Sequence, residues 1–344
     1  MIKVLSENKY IFDKLGISKW HERGYDGSLG CSLTFERPYI YDFLKGQVEN
    51  LWTDQYPILS YSDHAYQTLM VHLQLAPARK VYSVVDSVQI DGYGNISGFL
   101  VDTLIPWMLQ NKPDTGFRSK NVHISGLDSA YDKIMSFCTF CNSAGNYDIQ
   151  DFSDSIIDKA WLGIGAINSN FKPESYSSVS EYVDFSGIAP FYIPTTNGKA
   201  MEFWGTSCAA PFLSGQIALV NHFFIKHIGR SLSFDEMYNF IKSHCQDITS
   251  TGIGKDNKTG WGVFILPDPD TINPYDWINK ESDELDMAEK DNEFKTWSSE
   301  AGQWATTNGI LIGNEIGDYM LSEYCTREQM IVFLYRLYKL IKGT

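Results

Sequence analysis

The 344-residue chain has no uninterrupted apolar run approaching the ~18 to 20 residues that a membrane-spanning helix needs. Its opening, MIKVLSENKYIFDKLG, mixes charge with short apolar pieces and lacks the continuous apolar core of a signal peptide. Basic residues are scarce: 28 Lys and Arg stand against 42 Asp and Glu, a formal net charge of -14. A surface that negative repels phosphate backbones and anionic lipid, so neither nucleic acid nor membrane is an expected partner. Cysteine is scarce too, at six, too few for a disulfide scaffold in a chain this long. Cys138 and Cys141 have CxxC spacing, but they stand in IMSFCTFCN (134–142), which reads as a buried strand whose residues three apart point to opposite faces. No second Cys or His pair stands at ligand spacing to complete a zinc site. Core thiols, no metal and no cofactor are therefore expected. What the chain does have is 43% hydrophobic and 14% aromatic content, enough for one large domain with room for a small one.

From about residue 20 to 225, β-rich runs alternate with helical ones. Candidate strands are GCSLTFE (30–36), KVYSVVD (80–86), NVHIS (121–125), IMSFCTFCN and WLGIGAI (161–167). Candidate helices are the stretch after His64, SGFLVDTLIPWMLQN (97–111) and the apolar stretch after Ser207. The alternation predicts an α/β domain with a parallel sheet covered by helices on both faces. TGWGVFILP closes it near residue 267. The segment 268–288 is acidic, begins with prolines and lacks apolar periodicity, so it reads as a linker. Residues 289–344 read as a small helical unit: WSSEAGQWATTNGI, then TREQMIVFLYRLYKLI, whose start is set by the capping pair Thr326 and Gln329. Met330, Phe333, Leu334, Leu337 and Ile341 recur at helical spacing in the second helix.

The string GTSCAAPFLSGQIALV (205–220) carries the chemistry. Gly205 and Thr206 deliver Ser207 to a helix start, where unpaired N–H groups and the positive end of the helix dipole favour an oxyanion. Small residues at Ala209, Ala210, Ser214 and Gly215 let that helix approach the sheet closely. Gly205, Thr206, Ser207, Ala209 and Pro211 match G-T-S-x-A-x-P, and on that motif the chain resembles the subtilisin-like serine peptidases. Three further motifs extend the resemblance over residues 15–267.

The resemblance implies an acid, a histidine and the serine in that chain order. Of the histidines upstream of Ser207 (His21, His64, His72 and His123), the count back from Ala76-Pro77-Ala78 selects His64, with Ala65 and Tyr66 in place of the family's Gly and Thr. The AGN of residues 144–146 implies that Asn146 joins the Ser207 N–H as the oxyanion hole, a neutral donor that stabilises charge without titrating. In GYDGSLGCSLTFERP the residue at the family's aspartate position is Glu36, followed by Arg37 and Pro38 in place of small residues. Asp42, Asp54 and Asp63 are the rival acids. The implied substrate-pairing strand edge lies at Ser125, Gly126 and Leu127, where an extended peptide would bind by β-augmentation.

Taken together these imply a serine endopeptidase acting on a peptide or protein substrate through Glu36, His64 and Ser207. The resemblance leaves no room for an N-terminal pro-domain, and it leaves the compartment open. The rival expectation is a weak or inactive binding protein on the same fold. QWATTNGILIG and TREQMIVFLYR resemble a single S-layer-homology repeat, which implies a bacterial or phage setting and a cell-wall or protein partner, or self-association, for residues 289–344.

Overall fold

The computed structural model describes residues 2–54, 62–84, 103–119, 134–147, 161–278, 299–308, 310–311 and 327–342. They fall into two compact units, Met1–Trp277 and Ile278–Thr344. In the first, the elements are α1 (Lys9–Lys14), α2 (Ile17–Glu22), β1 (Cys31–Thr34), β2 (Val48–Asn50), α3 (Asp63–Leu75), β3 (Lys80–Ser83), α4 (Ile105–Asn111), β4 (Thr115–Arg118), β5 (Thr139–Ser143) and β6 (Trp161–Ile167). There follow β7 (Val183–Ile188), β8 (Phe191–Pro194), β9 (Ala200–Phe203), α5 (Thr206–Ile228), α6 (Phe234–Ser243), β10 (Cys245–Gln246) and β11 (Val263–Phe264).

Nine strands form one sheet in the order β10-β11-β7-β6-β5-β4-β1-β3-β2, parallel throughout except for the β10–β11 pair. This is the α/β architecture with a largely parallel sheet that the alternating pattern predicts. The chain lays down β2 and β3 on one side of β1, then returns to place β4 on the other. The crevice beyond the carboxyl ends of β1 and β4 is therefore a topological switch point, the usual place for a ligand in such sheets.

Alternation along β1 sorts its residues between the two faces. Leu33 and Phe35 join Met108, Phe140 and Trp161 in a buried cluster. On the opposite face, the Ser32 hydroxyl lies 3.0 Å from His72 Nε2 of α3, and the His72 ring stacks on Phe117 at 4.8 Å. Small residues decide how closely the central helix packs. A Cβ at Gly215 of α5 would stand 2.7 Å from Leu75 Cβ and 3.1 Å from the His72 carbonyl oxygen. One at Gly187 of β7 would stand 2.2 Å from the Ala209 carbonyl oxygen. Larger residues at either position force backbone shifts costing roughly 1–3 kcal/mol. Over an 18-residue window α5 is apolar enough to pass for a membrane span, but 94% of that window is buried inside this domain. It is a core helix.

Several elements differ from the expected ones. In IMSFCTFCN the strand is confined to Thr139–Ser143, because Phe137 and Cys138 donate their N–H groups to the Ile134 carbonyl (3.1 and 2.9 Å) and close a helical turn. Cys138 thus precedes the strand; it and Cys141 are fully buried free thiols. β4 carries no visible pattern because all four of its residues are buried, and Gly116 there avoids Phe140, whose ring a Cβ would meet at 2.4 Å. The β8–β9 hairpin and α6 were likewise not expected. α6 does carry a legible signal, a capping box in which Ser233 Oγ accepts from the Glu236 N–H and Glu236 Oε2 accepts from the Ser233 N–H. NVHIS, residues 97–102 of the helix proposed over 97–111, and Thr326 lie outside the described residues.

Residues 268–277, expected at the start of the linker, pack on the first unit. Lys19 pairs with Asp268, Arg23 grips Asp270 bidentately, and the Trp277 ring meets Phe240 at 4.9 Å. These ion pairs are exposed and screened by solvent, so the tryptophan is the stronger tether. In the second unit, α7 (Ser299–Thr307) and α8 (Arg327–Lys342) are described, and Arg336 Nη1 donates to the Ile310 carbonyl at 3.0 Å. Ile331, Leu334, Tyr335 and Tyr338 of α8 are exposed.

Candidate active site

Glu36 stands two residues beyond β1, in the switch-point crevice, and is 4% exposed. His64 is the second residue of α3, and its Nδ1 lies 2.8 Å from Glu36 Oε2. A carboxylate only accepts, so Nδ1 carries the hydrogen and Nε2 is left with its lone pair in the neutral ring. The imidazole is 36% exposed and the carboxylate sealed, which orients the ring from behind while leaving its other edge accessible. Glu36 Oε1 has no hydrogen-bond partner among the described residues. The rival acids are placed elsewhere: Asp42 pairs with Lys45, and Asp54 and Asp63 are exposed.

The substitutions flanking this pair each have a structural use. Arg37 is buried, with Nη2 donating to the Leu51 carbonyl, and Asn50 Nδ2 donates to the Pro38 carbonyl at 3.1 Å. The chain beyond Glu36 is thereby tied to the end of β2. Tyr66 reaches across to the β8–β9 hairpin, where its hydroxyl donates to the Pro194 carbonyl at 2.9 Å. Burial pushes that phenol up to about 12, so it remains a donor. From the same hairpin, the Phe203 ring meets the His64 ring edge-on at 5.8 Å. Tyr66 is thus a strut between the helix of His64 and the hairpin that leads into Ser207.

Ser207 is half-buried at the second position of α5. Gly205 has φ of 84°, in the left-handed region, and a Cβ there would also press on the Asn146 side chain. Thr206 holds Asn146 in place: its N–H and hydroxyl both donate to Asn146 Oδ1 (2.8 and 2.9 Å), and its hydroxyl accepts from the Gly145 N–H at 3.1 Å. Because a backbone N–H cannot accept, the amide oxygen must face Thr206, which turns the Asn146 NH₂ away from it. The Ser207 N–H has no partner among the described residues, as befits the first turn of a helix. Pro211, four residues on, has no N–H with which to bond the Ser207 carbonyl; Ser119, just beyond β4, donates its hydroxyl there instead, at 3.1 Å.

Thus Glu36 is brought onto His64, and Asn146 onto the turn that carries Ser207. No hydrogen bond joins His64 to Ser207 among the described residues. Apo sites commonly leave such bonds long until substrate arrives. Ser125, Gly126 and Leu127 lie outside the described residues, as does His123. His21 is half-buried against the Leu75 carbonyl (2.7 Å), and His72 is in the core. Sequence reasoning missed Thr206 as the clamp on Asn146, and Ser119 as the partner of the Ser207 carbonyl. The first has a signal, the hydroxyl beside the serine. The second could have been sought from Pro211, which guarantees a spare carbonyl. Among the described residues no group of three or more His, Cys, Asp or Glu is placed to hold a metal ion.

No protein-family model matches the chain, and no curated protein does. Solved structures do. A lanthipeptide protease is similar at a TM-score of 0.59 and 16% identity, over 76% of this chain and 95% of its own. The prenylagaramide maturation protease PagA is similar at 0.57 and 16%, over 76% and 97%. MycP1 from Mycobacterium smegmatis follows at 0.54 and 16%, over 75% and 85%. The likeness shows a shared fold, that of subtilisin-like peptidases.

Proposed function

We propose that the chain is a serine endopeptidase. His64 Nε2 takes the proton of Ser207 as Oγ attacks the carbonyl carbon of a peptide bond. Glu36 holds the imidazole in the tautomer this requires and stabilises the imidazolium that forms. The Ser207 N–H and the Asn146 NH₂ receive the developing oxyanion. His64 then protonates the leaving amine, and as base again it activates the water that hydrolyses the acyl-enzyme. The observation that carries this reading is the 2.8 Å bond between His64 Nδ1 and the buried Glu36 carboxylate. A glutamate can do the work of the shorter acid provided that its oxygen meets the same nitrogen.

The test is labelling with a fluorophosphonate, read by intact mass. Wild type is expected to label stoichiometrically, and Ser207→Ala and His64→Ala not at all. Glu36→Gln should label about 10³- to 10⁴-fold more slowly, the scale of losing an orienting acid. Unchanged labelling of Glu36→Gln would remove Glu36 from the reading, and failure of wild type to label would remove the peptidase.

A second reading concerns residues 289–344 as a docking unit for a protein or cell-wall partner, or for further copies of the chain. It is favoured by the exposed apolar side chains of α8. A monomer by gel filtration with light scattering would end the self-association version.

A further inference from the structure

A hydrogen-bond donor aims only as well as the peptide that carries it is held. In the turn that opens α5, three successive N–H groups have different fates. The Gly205 N–H donates to the Tyr176 hydroxyl at 3.3 Å, and the Thr206 N–H to Asn146 Oδ1 at 2.8 Å. The Ser207 N–H alone of the three has no partner among the described residues, and it is the one that the proposed chemistry uses. Two tied amides thus fix the aim of the third. The first tie matters most, because Gly205 has the freest backbone of the turn: without a Cβ, its φ of 84° is one of several conformations open to it.

Tyr176 lies between β6 and β7, far from the turn along the chain, in a loop that is itself anchored. Ser177 Oγ accepts from the Ala166 N–H of β6 at 3.0 Å, and the Ser178 N–H donates to the Gly145 carbonyl at 3.0 Å. Ser177 and Ser178 are fully buried. One loop therefore grips the segment behind each oxyanion donor: Gly145 behind the Asn146 NH₂, and Gly205 behind the Ser207 N–H. Burial pushes the Tyr176 phenol up to about 12, so it keeps its proton. A neutral oxygen suits the place. A carboxylate would hold the Gly205 N–H as well, but its charge would oppose an oxyanion forming close by.

We infer that Tyr176 is a positioning residue of the candidate oxyanion hole, its hydroxyl fixing the Gly205 peptide so that the Ser207 N–H converges with the Asn146 NH₂. The catalytic half of this statement rests on the peptidase reading, whereas the clamp on Gly205 does not.

The experiment uses the full chain carrying Tyr176→Phe, which keeps the ring and removes the accepting oxygen. Fluorophosphonate labelling is followed over a range of probe concentrations, because the phosphoryl oxygen of that probe enters the same hole. The maximal labelling rate is expected to fall about 3- to 10-fold, the scale of one hydrogen bond, with the half-saturating probe concentration unchanged. A double-mutant cycle with Asn146→Ala asks whether the two residues act on one feature. In that background Tyr176→Phe should have less than about half of its effect in wild type, whereas a merely structural tyrosine gives additive losses. Hydrogen exchange read by mass spectrometry needs no activity: residues 203–207 should exchange about 3- to 10-fold faster in Tyr176→Phe, with α3 and β5 protected as in wild type. Unchanged labelling of Tyr176→Phe beside a wild type that labels would overturn the positioning role and leave the peptidase reading standing, as would additive losses in the cycle. Unchanged exchange would discard the clamp itself. Faster exchange in a chain whose wild type does not label would keep the clamp and discard the peptidase.

Discussion

Asp114 and Glu36 are both buried carboxylates on neighbouring strands, one just before β4 and the other just beyond β1. Each gives one oxygen to a nitrogen partner, and each has a second oxygen without a hydrogen-bond partner among the described residues. Asp114 pairs with Arg79, which is wholly buried, and also accepts from Asn221 Nδ2 at 3.2 Å. Arg79 in turn donates through Nε to Ser32 and through its terminal nitrogens to the Leu29 and Cys31 carbonyls. Glu36 pairs instead with a histidine that is one-third exposed. An arginine cannot give up its proton, so the first arrangement is a strut binding β1, β4 and α5 together. A histidine facing solvent on one edge can carry a proton in and out. Similar carboxylates at opposite ends of neighbouring parallel strands are thus suited to stability in one case and to proton transfer in the other, and the partner makes the difference.

The largest effect that would break this comparison is at Arg79. Arg79→Met strands Asp114 inside the core, and urea unfolding should show a loss of roughly 3–5 kcal/mol, with the double variant Arg79→Met, Asp114→Leu recovering most of it. Glu36→Gln should by contrast stay within about 1 kcal/mol of wild type, because Gln still accepts from His64. If Glu36→Gln were the more damaging of the two to stability, the assignment of strut and proton carrier would be reversed.

The next effect sharpens the comparison by pH. Burial, with the Arg79 charge behind it, holds His72 down at about 3, against an ordinary value of 6.5. Between those values the unfolded chain binds a proton that the folded chain refuses. Stability from this group is therefore full above pH 6.5 and is lost as pH falls, at up to about 1.4 kcal/mol per pH unit. Urea midpoints between about pH 7 and 5 should fall less steeply in His72→Asn than in wild type. Equal slopes would show that His72 is not held neutral. Burial also lowers His21 and His222, so a residual slope is expected in the variant.

The smallest effect is at Tyr66. Tyr66→Phe removes only the hydroxyl on Pro194 and should cost about 0.5–1.5 kcal/mol of stability. Fluorophosphonate labelling should slow several-fold while the melting curve barely moves. Unchanged labelling would mean that Phe203 alone keeps the hairpin against His64.

Legibility followed the range of the cause. The helix start at Ser207, the close packing permitted by Gly215 and the turn at Gly205 are written in neighbouring residues, and they stand in the structure where the string places them. β4 was invisible because its four residues are buried on both faces, which erases alternation, and because its glycine answers to Phe140 on another strand. The β8–β9 hairpin was invisible because it forms its own small sheet, and its role depends on Tyr66 and His64 far away in the chain. Tyr66 shows in the sequence only as a departure from the family's Thr, whereas in the fold it is a brace on Pro194.

By itself the sequence determined the sheet-and-helix class, the helix whose first turn holds Ser207 and the chain order of the motifs, because local spacing and turn chemistry suffice for these. Only the tertiary structure decided which carboxylate meets His64. Glu36, Asp42, Asp54 and Asp63 all lie within a few dozen residues of one another, but strand pairing brings Glu36 alone of the four to Nδ1, with its carboxylate buried. Tertiary structure likewise oriented Asn146, through a threonine 60 residues on. A hydrogen bond acts over about 3 Å of space, and spacing along the chain does not record which distant groups folding will bring that close.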